Sequence, residues 1–176
     1  MDSYLRDAAP ASSATETPAL SALDLLALAS RAAARVACEQ SDAVEDASHL
    51  LENSALRRAT VWVCGDGAEE HTRRLMGAGQ RAVTIVPPAR LPQVLGGGDV
   101  LLVTLVTEVP RDLISEAQQR ALDTIVIKGA QQIDHDTAIV LRLMCHDERA
   151  LQLAQAFIVS AFCVRSAGVA RAESAA

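Results

Sequence analysis

Between residues 60 and 143 the chain repeats one pattern: a short, branched apolar run, a stop at turn residues, then a polar or amphipathic stretch. Val61-Trp62-Val63-Cys64 stops at Gly65-Asp66-Gly67, and Ala82 to Val86 stops at Pro87-Pro88. Val100 to Val106 follows the triple glycine Gly96-Gly97-Gly98, Thr124 to Ile127 precedes Gly129, and Ala138 to Leu143 is the last run. Short, mostly apolar runs of this kind, bounded by turn residues, predict buried parallel strands. The intervening segments 68–77 and 110–121 predict helices, and Pro110 suits a first turn because its missing N–H costs nothing there.

Two helices are expected ahead of this region. Ser21 reads as an N-cap with Asp24 three residues later as its capping-box partner, and Leu25, Leu28 and Ala32 form one apolar face. Ser41-Asp42 opens a second helix striped by Val44, Ala47, Leu50 and Leu51. Asp147 caps a final helix from Glu148 to about Ser166 that is apolar nearly all round, which predicts burial on several sides, a subunit interface among them. The fold expected is a three-layer α/β/α sandwich preceded by two helices, its five-stranded parallel sheet covered on both faces. Residues 1–19, rich in Ala, Ser, Thr and Pro, and residues 167–176 read as disordered tails around a domain at 20–166.

Composition removes several functions. The chain of 176 residues carries a net charge of −6, one lysine (Lys128) and four aromatics (Tyr4, Trp62, Phe157 and Phe162). Phosphate-backbone affinity needs clustered cations, and single strands need stacking platforms, so no direct nucleic-acid partner is expected. Gln155, Ser160 and Arg165 interrupt the last helix, so no membrane span is expected either. Polar residues open the chain, and Cys38, Cys64, Cys145 and Cys163 lack C-x-x-C spacing. Free thiols in a reducing cytoplasm follow as the expectation.

Four segments, in order, resemble sugar-isomerase (SIS) domains, in particular the phosphoheptose isomerases and the related replication-initiator-associating type. They are VWVCGDGA after Leu51-Glu52-Asn53-Ser54; GDVLLVTLV (Gly98 to Val106); DTIVIKG (Asp123 to Gly129); and DERALQLAQAFIVSAFCV (Asp147 to Val164). The resemblance covers about residues 20–166 and implies strand order 2-1-3-4-5. It implies assembly as a dimer or tetramer through the leading and final helices. The chain is shorter than that family between Cys64 and Gly98.

In the family two helix N-termini hold a phosphate, through free backbone N–H groups and the positive end of the helix dipole. Here the first loop reads Gly65-Asp66-Gly67-Ala68-Glu69-Glu70, with carboxylates where the resemblance places Asn, Ser and Ala. The second reads Leu105-Val106-Thr107-Glu108-Val109-Pro110, and only Thr107 keeps a hydroxyl. The family's first-helix His and Glu fall at Leu75 and Gly79, and its last-helix Gln and His at Gln152 and Ser160. The degenerate ligand site expected from the resemblance is therefore Gly65, Asp66, Gly67, Glu69, Thr107, Glu108 and Gln152, acidic in character, with no catalytic pair.

His71 and the Arg73-Arg74 pair read as surface residues of a helix. Cys64 reads as core or as a thiol at a helix N-terminus. Cys145-His146-Asp147, with His135, matches no structural-zinc template, and neither metal nor cofactor is expected. The sequence thus favours a non-catalytic SIS protein, either a homo-oligomeric scaffold or the silent subunit beside an active paralogue, working through protein partners. The alternatives are a phosphoheptose isomerase-like enzyme with a rearranged site, and a cation-responsive regulator using an acidic rim.

Overall fold

The computed structural model describes residues 20–88, 90–105, 111–129 and 138–173. Two helices, α1 (Ala22–Glu39) and α2 (Ser41–Leu56), lead into β1 (Thr60–Gly65), α3 (Ala68–Gly77), β2 (Ala82–Ile85), β3 (Val100–Leu105), α4 (Arg111–Gln119), β4 (Asp123–Lys128), β5 (Ala138–Arg142) and α5 (Glu148–Glu173). The five strands form one parallel sheet in the order β2-β1-β3-β4-β5. Each apolar run identified above is a strand, and the sheet order is the one the resemblance implies.

The capping box forms as expected, Ser21 Oγ accepting from the Asp24 N–H while the Asp24 carboxylate accepts from the Ser21 N–H. The final helix does not end near Ser166. It continues to Glu173, so the tail placed at 167–176 is helical through that residue. Ala167, Ala170 and Ala172 favour helix, and Gly168 alone is too weak a breaker to stop it.

The two faces of the sheet bury different partners. Val61, Val63, Leu102, Ile125 and Ile127 pack beneath α1, α2, α3 and α5, whose contributions include Val36, Leu51, Leu75 and Phe162. Cys64, Leu101, Val103 and Val126 face the other way, against Leu113, Ile114 and Ala117 of α4 and Val86 and Leu91 of the β2–β3 connection. That connection is the stretch where the chain is short. Arg120 fastens it, donating to the Pro92 and Gln93 carbonyl oxygens at 2.7 Å each.

The triple glycine is not a loose loop at its end. Buried Asp99 accepts from the N–H groups of Gly96 and Thr60 at 2.8 Å and from Trp62 Nε1 at 3.0 Å. One carboxylate therefore joins the loop to the start of β1. At the outer edge, the Gln40 amide pairs with both the N–H and the carbonyl of Arg142 on β5, each at 2.9 Å.

Candidate functional site

In an open parallel sheet, ligands bind outside the carboxyl ends of the strands, where the strand order reverses. Here that point lies between β1 and β3. The β1–α3 turn is fixed there by glycine and by a buried hydroxyl. Gly65 has φ +105°, and a Cβ would run into the Thr104 carbonyl oxygen, so only glycine fits. Gly67 follows in the left-handed region (φ 71°) as the N-cap of α3. Thr104 Oγ1 donates to the Asp66 carbonyl at 2.7 Å, and the Asp66 N–H donates back to the Thr104 carbonyl at 2.9 Å. The turn is thereby bolted to the neighbouring strand.

Beside this turn lies a groove of about 410 Å³ between α3 and α5. Asp66 and Gly67 form its end. Glu70, His71 and Arg74 line one wall, and Arg149, Gln152, Leu153, Gln155 and Ala156 line the other. Of the residues expected from the sequence, Asp66, Gly67 and Gln152 meet here. Gly65 shapes the turn from β1, whereas Glu69 is exposed and does not line the groove. Thr107 and Glu108 lie outside the described residues, as does His135.

His71 corrects the sequence reading. It is not a surface residue: it is only 2 % exposed, because α5 packs over the α3 face that carries it. Burial, and then the Arg74 guanidinium, hold its pKa below the ordinary histidine value, against smaller upward pulls from Glu70 and the Asp66 backbone. The ring is neutral at pH 7, and its Nδ1 is buried without a partner among the described residues. Gln155 is wholly buried alongside. Its Nε2 donates to carbonyls at the ends of β3 and β4, at Leu105 (2.8 Å) and Ile127 (3.3 Å), and its Oε1 has no partner among the described residues.

Arg74 does not lie on an open solvent face. Its Nη1 donates to Ser160 Oγ at 2.6 Å and its Nη2 pairs with Glu70 at 2.9 Å, which joins α3 to α5. Glu70 also pairs with Arg73. Arg149 is exposed and makes no hydrogen bond or ion pair among the described residues. Arg74 and Arg149 thus stand beside Asp66 and Glu70 in the groove lining. Leu75 is core, Gly79 is a left-handed turn residue after α3, and Ser160 is the partner of Arg74. Burial beside Asp66 pushes the Cys64 thiol up to about 11, so it is a core residue and not a nucleophile.

His71 and Arg74 were hidden in the sequence because their burial is created by a helix from the far end of the chain. A polar i, i+3 pair on a short helix was the only signal available. Among the described residues, no three His, Cys, Asp or Glu side chains gather as metal ligands, and no helix is long and apolar enough to cross a membrane.

No family model and no curated protein matches the sequence. Solved structures do match the fold. The C-terminal domain of glucosamine-fructose-6-phosphate aminotransferase from Francisella tularensis superposes with a TM-score of 0.60 at 12% identity, over 81% of this chain and 42% of that one. Phosphoheptose isomerase from Neisseria gonorrhoeae superposes with a TM-score of 0.60 at 15% identity, over 80% of this chain and 93% of that one. The fold is that of a SIS domain. This chain therefore spans less than half of the first of these proteins and nearly all of the second.

Proposed function

We propose that this protein binds a sugar phosphate in the α3–α5 groove and interconverts its aldose and ketose forms, in the manner of a phosphosugar isomerase with a rearranged site. The observation that carries this reading is His71, a neutral imidazole lining the groove whose buried Nδ1 has no partner among the described residues. It supplies the kind of group whose apparent absence made the sequence favour a non-catalytic scaffold. The isomerase-type fold of the structural neighbours supports the same direction.

The reaction needs one group to take a proton from the carbon beside the carbonyl and return it to the former carbonyl carbon, while a hydroxyl proton passes to the carbonyl oxygen. A histidine held neutral is suited to the first half of that transfer. Gln152, exposed on α5 along the same wall, is placed to hold the sugar's hydroxyls.

The test is to incubate sedoheptulose 7-phosphate, fructose 6-phosphate and glucose 6-phosphate with the protein in D₂O and follow both isomerisation and deuterium uptake by NMR. Turnover lost in His71→Gln and weakened in Gln152→Ala is expected. No turnover, together with no thermal stabilisation by any of the three, would return the protein to the scaffold reading.

Assembly belongs to the same proposal. Leu23 and Leu26 of α1 and Val164 of α5 are exposed, which favours a dimer or tetramer formed through these helices. Light scattering on the eluting protein decides it, and a monomer at micromolar concentration removes it.

A further inference from the structure

The first of the phosphate-binding positions suggested by the resemblance is a poor anion site here. The first turn of α3 carries Glu69 and Glu70. At the groove floor, two acceptors of lining residues, His71 Nδ1 and Gln155 Oε1, are buried and unpartnered among the described residues. An anion placed against that floor meets lone pairs, whereas a hydroxyl meets acceptors. The donors lie elsewhere on the same groove. Arg149 extends from the first turns of α5, exposed and without a partner among the described residues, and Arg74 faces it from α3. Arg74 is held in place through Ser160 and Glu70, while its Nε has no partner among the described residues.

From this arrangement we infer that the ligand's anionic group is held at the groove mouth by Arg149, with Arg74 behind it, and that its hydroxylated end points toward the His71–Gln155 floor. This rests on the sugar-phosphate reading above and adds the orientation of the ligand. Two guanidiniums, unlike a glycine loop, recognise a planar or tetrahedral oxyanion by paired N–H donors. Selectivity for the phosphorylated sugar over the free one therefore resides in Arg149, and selectivity among sugars resides in the floor.

The experiment is calorimetric titration of the full chain with sedoheptulose 7-phosphate, fructose 6-phosphate, glucose 6-phosphate and inorganic phosphate. It compares wild type, Arg149→Ala, Arg149→Lys and the control Arg73→Ala, whose side chain lies outside the groove. Arg149→Ala is expected to raise the Kd of the phosphorylated ligands about tenfold or more, Arg149→Lys to recover part of the loss, and Arg73→Ala to change little. The thermal midpoint without ligand should move little in Arg149→Ala, since the exposed side chain makes no hydrogen bond or ion pair among the described residues. In parallel, ring ¹⁵N NMR of His71 should respond to the sugar phosphate and not to inorganic phosphate.

Unchanged affinity in Arg149→Ala, or a His71 signal moved by inorganic phosphate alone, overturns the orientation while leaving sugar-phosphate binding intact. Absence of binding by all four compounds removes the orientation and the proposed function together.

Discussion

The two faces of the sheet are built by different means. One is covered by four helices, and its interior, from Val36 and Leu51 through Ile125 to Phe162, is almost wholly apolar. The other has, among the described residues, a single helix, α4, and a strand connection laid beside it, and there the backbone is fastened by polar side chains: Asp99, Arg120 and Glu116. Where helices are plentiful, area removed from water supplies the stability. Where the chain is too short to add one, hydrogen bonds to otherwise orphaned backbone groups substitute for it. The groove belongs to the thick face, at the gap where α3 and α5 diverge beside the β1–α3 turn.

Substitutions that remove one kind of fastening test this contrast. Phe162→Ala on the thick face should cost most, about 3–5 kcal/mol, because a wholly buried ring leaves a cavity that rigid neighbours cannot fill. Denaturant unfolding followed by Trp62 fluorescence measures it, and a loss below about 1 kcal/mol would mean that α5 repacks freely. On the thin face, Asp99→Ala removes the acceptor of three part-buried donors at once and should cost about 1–3 kcal/mol. It should also change Trp62 emission in the folded state, since the indole N–H loses its acceptor; unchanged emission would break the assignment.

Arg120→Ala should cost about 1 kcal/mol, because its side chain is partly solvated. Its signature is local: faster amide exchange around residues 90–95 with α5 unaffected. If exchange accelerates equally on both faces, they do not differ as described.

The smallest effect tests the groove. The folded-state pKa of His71 is lowered, so the unfolded chain takes up a proton first as pH falls. Its contribution is thus fully present above the unfolded value of about 6.5 and is lost as pH drops from there toward the folded value. The decline in stability between pH 7 and pH 5 should be shallower in His71→Asn. An identical decline in that variant would place the titrating group elsewhere.

Much of the architecture could be read from local chemistry. Val61 to Cys64 and Val100 to Leu105 announce buried parallel strands because no charged residue interrupts them, and Ser21 with Asp24 writes its own helix start. Gly65 and Gly67 likewise mark a turn whose backbone tolerates little else. The site was less legible because its character arises between elements. His71 carries the polarity of a surface position, and the packing of α5, far along the chain, makes it a buried neutral imidazole. Glu70 looks like free negative charge until Arg73 and Arg74 fold back on it. Thr104, which holds the turn, reads as one residue of a strand, and the hydroxyl that drew attention instead was Thr107. The end of α5 was misjudged for a different reason: alanines that suggest a featureless tail are also the strongest helix formers.

The Gln40 amide on β5 also constrains how copies of this protein can associate. A parallel sheet with a bare outer strand invites another chain to continue it. At Arg142, a glutamine already occupies the donor and acceptor that such a chain would need. Growth by adding strands on that side must first displace it, so the edge of the sheet is blunted by a side chain rather than by a further strand.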